Sequence, residues 1–508
     1  MTRATTTSAL RSIRIATGSL LLIAILVGAC TRSVPETAMV IGVETLPSTL
    51  NPVLASDAIA TRMLRLVTQS LVELDDSGWP VPKLASWEQV DATHYVFSLG
   101  EANRVFHDGT RLHAEDVVAL YRAIVDPASG SPHRATLANL MDVRALDADR
   151  IEFVLDHADT LFPAYLTHGI VPRRWLAQRG SRLPPGSGPL ALVKWSGDER
   201  IELKRLDDGL RIAFIRVADP TVRVLKLLRG EIDLLQNDLP PELRAYLRAQ
   251  NGMSTASVRG TNFAYLGFNL DDPLTGRAEL RRAIAQAIDR AAIVRHLFAD
   301  AAYTAEAIFP SDHWAGAPML PSLRFDPDAA RRLLREAGLS GERRPRLVYK
   351  TSANPFRLRL ATIVQHQLAA VGIDLEVRSH DWGTFYGDIK AGRFQMYSLA
   401  WVGVRTPDIF RYTLHSESVP PAGANRGRLR SAEVDRLIES AERADTKPER
   451  QQAYRRLQAI VHEQLPYIPL WYEDHFHAEG PRVSGYTLDA QGTYDALAAV
   501  RFDATAEY

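Results

Sequence analysis

The chain has a single cysteine, Cys30, in 508 residues. A disulfide framework and a cysteine-built zinc site are therefore excluded within the chain. Charge of one sign is not in excess: 60 Lys and Arg stand against 60 Asp and Glu. No global basic field exists to gather nucleic acid, so none is expected as a partner. The apolar run Leu20–Val27 is far shorter than the roughly 20 residues a membrane-spanning helix needs. Hydrophobic residues make up 46% and charged residues 24%, which excludes a disordered or polytopic chain. At roughly 150 residues per domain, the length predicts about three domains or two large lobes.

Catalytic motifs are missing as well. There is no GxxxxGK[ST] phosphate loop and no GxGxxG after a strand. His462-Glu463-Gln464-Leu465-Pro466 lacks the second histidine of a zinc protease helix, and Gly186-Ser187-Gly188 is too short for a nucleophile elbow. His94, His107 and His113 scatter around one strand-turn-helix unit and read as structural. His475 and His477 share one strand face and read as part of a polar edge strand. No enzyme, cofactor or metal site is expected.

Residues 1–29 read as a signal peptide. Arg3, Arg11 and Arg14 form a positive start with no acid, followed by the apolar run and by Gly28 and Ala29. Val27-Gly28-Ala29-Cys30 resembles the bacterial lipobox, whose cysteine becomes a lipidated N-terminus. The resemblance implies diacylglyceryl and palmitate chains on Cys30, and an extracytoplasmic (periplasmic) protein held on a membrane without spanning it. Cleavage would leave 57 basic against 60 acidic side chains.

The mature chain reads as mixed α/β. Strands are predicted at Met39–Val43, His94–Leu99, Ile151–Leu155 and Asn262–Asn269, with a hairpin at Ile201–Leu206 and Arg211–Val217. Helices are predicted at 58–73, Ala114–Val125 and, unbroken, Arg277–Phe298. Asp219-Pro220 and Asp326-Pro327 each open a helix, with Asp as cap and Pro at the first turn. From residue 345 the order is β-α-β-α-β: strands at Arg346–Lys350, Ile373–Val377 and Gln395–Ala400, helices at Phe356–Val371 and Trp382–Ala391. That order predicts a parallel sheet. Helices at Ser431–Ala444 and Pro448–Gln464 follow, the second opened by a Thr446–Glu449 capping box. Tyr467–Tyr472 is a late strand.

Ligands of open parallel sheets sit beyond the carboxyl ends of the strands. Three such ends are Thr351–Asn354, Ser379–Trp382 and Trp401–Arg405. Trp382 and Trp401 fall there, either as ligand-contacting surfaces or as core at a lobe interface.

Several segments, in order, resemble the bacterial extracellular solute-binding proteins of family 5, the peptide and nickel class serving ATP-driven importers. They are Thr49-Leu50-Asn51-Pro52 with Asp57, Phe106-His107-Asp108-Gly109-Thr110 with Ala114-Glu115-Asp116-Val117, and Gly188-Pro189. Further along come Leu227–Asp233, Tyr265–Asn269, Arg281–Arg290 and Asp326–Gly338. His113 stands where the family places a capping threonine.

The resemblance implies the class II periplasmic-binding-protein fold: two lobes, a hinge and an extra subdomain. Lobe I would comprise 36–50, 188–264 and 476–508, the extra subdomain 51–187, and lobe II 265–475. It implies capture of short peptides or a related small solute, passage to ABC importer permease subunits, and a monomeric receptor. Trp401 matches the family's cleft tryptophan and Trp382 a second one. Tyr265, on the hinge strand, is counted with them. Val404 occupies the position where peptide binders place the aspartate that meets the peptide amine. Either Asp408 supplies that anion, or the ligand has no free amine. Arg405 pairs with a ligand carboxylate or phosphate, or with Asp408 at the surface. The alternatives are a non-peptide solute (metal chelate, opine or oligosaccharide) and an extracytoplasmic hydrolase on a two-lobed scaffold.

Overall fold

The computed structural model describes residues 38–507, apart from 76–77, 178–183, 300 and 445. The signal segment and Cys30 lie outside the described residues.

The apolar strand Met39–Val43 suits the middle of a sheet. It pairs in parallel with Arg211–Arg216 on one side and Leu234–Gln236 on the other. Buried on both faces, such a strand needs no polar alternation. Arg211–Arg216 continues antiparallel into Arg200–Arg205 and then Leu190–Ser196. This is one half of a large sheet. The other half is the predicted parallel run, Asp374–His380, Arg346–Ser352 and Met396–Trp401 in that spatial order.

Two long antiparallel strands, Ser254–Phe268 and Tyr467–Glu479, join the halves. Their register breaks between Val258 and Asn262, opposite His475 and Glu473. An interrupted ladder bends a strand pair locally.

A separate four-stranded antiparallel sheet is ordered Ala85–Gln89, His94–Leu99, Arg150–Leu155 and Leu140–Ala145. Two small two-stranded pairings, Val72–Leu74 with Pro80–Pro82 and Val483–Ser484 with Arg501–Phe502, complete the described sheets. The inward residues of the four-stranded sheet, with Tyr121 of helix Ala114–Val125 and Phe162, form an aromatic core. Phe97–Phe153 and Tyr121–Phe153 meet edge-on, both with centroids 5.3 Å apart, an arrangement that suits ring quadrupoles.

Local signals behaved as their chemistry requires. Asp219 and Asp326 cap their helices through Val222 and Ala329, at 2.9 and 2.8 Å. Thr446 and Glu449 close the capping box. At His113 the missing threonine is offset by Asp116, whose carboxylate accepts from the His113 and Arg173 amides, both at 2.9 Å.

Four readings need correction. The predicted helix 277–298 is two helices, Ala278–Ala287 and Arg290–Leu297. Ile288 is extended, and Asp289 turns its carboxylate to the Ala292 amide at 2.8 Å, so a cap inside a helical pattern won over periodicity. The helix from Ala58 stops at Val67, where Thr68 turns extended and Val72–Leu74 becomes a strand. The late strand runs on to Glu479. His475 and His477 are therefore buried in a central strand, between Ser254–Phe268 and Leu234–Gln236, and not on an edge. Burial lowers both imidazole pKa values to about 4. Among the described residues no group of three or more His, Cys, Asp or Glu is placed to hold a metal. No described helix is long and apolar enough to cross a membrane.

Candidate ligand cleft

Beyond the carboxyl ends of the parallel strands lies a cavity of about 490 Å³. That volume falls within the range of small-molecule sites. One wall comes from the helix Ala58–Val67 and the segments around His133, His168 and Thr493; the opposite wall comes from residues 382–426.

Trp382, Trp401, Val404, Arg405 and Asp408 all line this cavity. The two tryptophans reach it for the reason strand topology gives. Trp401 ends Met396–Trp401, and Trp382 opens the helix Trp382–Ala391 just past Asp374–His380. Trp382 stacks on Tyr386 one turn later, with centroids 5.4 Å apart and planes 7° from parallel. Trp401 is stacked on Tyr265 at 6.1 Å and meets Tyr412 edge-on at 5.9 Å. Tyr265 itself is not a cavity wall. It is 4% exposed and stands behind that layer.

The two charged candidates do not pair with each other. Arg405 Nη2 donates to the carbonyl of Leu74 at 2.7 Å and to that of Asp75. It thus ties the segment after Trp401 to the chain beside the strand Val72–Leu74. Asp408 opens the helix Asp408–Leu414 and accepts from Thr406 Oγ1. It has no ion pair with another described residue, and burial raises its pKa to about 6, against the hydrogen bonds that favour the anion.

Sequence reading missed Arg426. Its guanidinium lies 4.3 Å from the Trp401 ring centroid and 5.3 Å from that of Tyr386. Nη1 donates to Tyr265 Oη at 3.0 Å and Nη2 to Tyr386 Oη at 3.1 Å. No local signal separates it from Arg428 and Arg430, which alternate with it along an irregular segment.

The facing wall holds both paired and unpaired groups, Arg62 Nε and His168 Nδ1 being buried without a hydrogen-bond partner among the described residues. Arg65 meets Asp495, Asp57 caps its helix through Ala60 at 2.8 Å, and His133 Nε2 bonds the Ala55 carbonyl at 2.8 Å. A smaller cavity of about 60 Å³ lies beside Arg357 and Glu473, whose charges are already joined by bonds of 2.8 and 3.1 Å.

Residues 74–419 match the sequence profile described as bacterial extracellular solute-binding proteins, family 5 middle. The chain belongs to this family. This family-5 protein is 28% identical over 470 residues to di/tripeptide-binding protein 2 of Pseudomonas aeruginosa, covering 82% of this chain and 85% of that one. The dipeptide-binding protein of a Pseudoalteromonas species, solved with Met-Leu, superposes with a TM-score of 0.84. Its identity is 20%, over 92% of this chain and all of the other. A Campylobacter jejuni protein solved with Ni(L-His) gives 0.83 at 23% identity, with the same coverage. The two-lobed fold of these neighbours is the fold of this chain, as expected. The family consists of binding proteins, described as extracellular, and its members capture solutes.

Proposed function

We propose that this family-5 protein captures short peptides between its lobes and passes them to the permease subunits of an ATP-driven importer. The supporting observation is that five of the proposed ligand residues, from two strand ends and the following loop, meet in one cavity whose other wall is built by a different part of the chain. Trp382, Trp401 and Val404 would supply apolar contact. Asp408 would meet the peptide amine, replacing the anion that Val404 lacks. Arg405 would hold the rim, and Tyr265 would support the wall from behind. Ligand in the closed state shifts the open–closed equilibrium, with no bond made or broken.

The lobes would be 36–50, 188–264 and 476–508 against 265–475, with 51–187 as the subdomain. The break in register at 258–262 would be the hinge. Asn354 to Glu44 at 2.9 Å and Arg359 to Glu242 at 2.8 Å would be contacts across it. The receptor would work as a monomer, anchored outside the cytoplasm by lipid on Cys30. The anchor is tested by Cys30→Ala: labelled palmitate should leave the protein, which should move to the soluble fraction.

The reading is tested by native mass spectrometry of the mature domain, purified without refolding. Released masses spaced by amino-acid residues support it. A single discrete mass that is not a peptide overturns it, in favour of the second reading that Val404 suggests, a dedicated receptor for a non-peptide solute.

A further inference from the structure

Arg426 is 7% exposed, lines the cavity, and has no carboxylate partner among the described residues. Of the other arginines and lysines of the lining, Arg65 is held by Asp495, Lys83 by Glu73 and Arg405 by two carbonyls, while Arg62, on the facing wall, lies 5.6 Å from the Tyr494 ring centroid with no ion pair to another described residue. A guanidinium has five N–H donors. Two of those on Arg426 go to the phenols of Tyr265 and Tyr386, and stacking on Trp401 uses none. A buried charge without a counterion is costly, and removing water from it on closure makes it more so.

The side chain is also braced. Tyr265 Oη lies 3.3 Å from Tyr397 Oη, Tyr386 is stacked on Trp382, and Trp401 carries the guanidinium plane. Such bracing lowers the cost of ordering the donor when a ligand arrives. Phenols and an indole face hold a cation in place without neutralising it, leaving N–H groups for a planar anion.

We propose that Arg426 is the anion anchor of the cleft and that the solute carries a carboxylate docked on it. This rests on the cavity being the solute site, though not on the solute being a peptide.

The test is calorimetric titration of wild type, Arg426→Lys and Arg426→Gln. The probes are the dipeptide Ala-Phe, its C-terminal amide, and a set of non-peptide carboxylic acids with their amides. Amidation should weaken binding to wild type at least about 30-fold. Arg426→Gln should bind the acid about as weakly as wild type binds the amide, with Arg426→Lys between. Melting temperature reports whether each variant folds, and the wild-type acid-to-amide ratio needs no variant. If Ala-Phe binds wild type and Arg426→Gln equally, the anchor is elsewhere while the peptide reading stands. If only a non-peptide acid binds, and Arg426→Gln loses it, the anchor stands and the peptide reading falls. If amides bind wild type as well as acids, or no acid binds, the proposal is overturned.

Discussion

Arg450 Nη1 meets Asp159 Oδ1 at 3.1 Å, with side-chain exposures of 2% and 1%. The pair joins the helix Lys447–Gln464 to the loop beneath the four-stranded sheet. Arg450 Nη2 also donates to Thr160 Oγ1 and to the carbonyls of Glu442 and Ala444, so the cation is well satisfied. Removing one partner leaves an uncompensated buried charge. Arg450→Met should therefore cost about 3–5 kcal/mol in urea unfolding. Replacing Asp159 with leucine as well should recover much of that loss. A cost under about 1 kcal/mol for the single variant would show that water reaches the pair.

Asp408 sets a pH dependence. With its pKa at about 6, the free carboxyl is mostly ionised at pH 7.5 and mostly protonated at pH 5. Affinity for a ligand amine held there should fall about tenfold over that span. Asp408→Asn should flatten the profile and weaken binding. Its effect on folding has the opposite sign. A raised carboxyl pKa costs stability as pH rises from 3.8 towards 6. Asp408→Asn should thus raise the melting temperature of the free protein at pH 7.5. A flat wild-type profile places the amine elsewhere.

His475 and His477 set another. Their folded pKa values of about 4 lie below the ordinary 6.5, so the unfolded chain takes up protons first. Their share of stability is complete above pH 6.5 and is lost as pH falls towards 4, up to about 3 kcal/mol each. Denaturant midpoints between pH 7 and 4.5 should drop accordingly, and less in His477→Gln.

Two glycines should respond differently to alanine. At Gly188 a Cβ would run into the Leu66 carbonyl oxygen and the Val67 backbone, neither of which can move cheaply. Gly109 has φ +83 with open space around it, so alanine there meets only backbone strain. Gly109→Ala should cost about 1 kcal/mol and Gly188→Ala clearly more, read from thermal unfolding. Equal costs would show that the 186–189 loop yields.

What short-range chemistry controls was legible in the residues themselves. Asp219-Pro220 and Asp326-Pro327 cap and start helices wherever they stand. Thr446 and Glu449 satisfy each other within one turn, and the β-α-β-α-β order after residue 345 dictates parallel strands with a cleft at their carboxyl ends. That is why Trp382 and Trp401 could be placed at strand ends, while packing between distant segments settled that both line the cavity and are not buried core.

Tertiary structure decided what depends on distant neighbours. The strand from Tyr467 runs to Glu479 because partners more than 200 residues earlier in the chain are there to pair with it. The same pairing buried His475 and His477, which an isolated strand would have left on an edge. Arg405 turned to the Leu74 and Asp75 carbonyls, and Asp408 has no ion pair with another described residue. Among Arg426, Arg428 and Arg430, sequence offers no distinction. Arg428 reaches the Ala391 carbonyl and Arg430 pairs with Asp271, while Arg426 alone meets the aromatic wall. Which arginine is buried depends on where Trp401, Tyr386 and Tyr265 converge, a relation between separate strands and helices that no local pattern encodes.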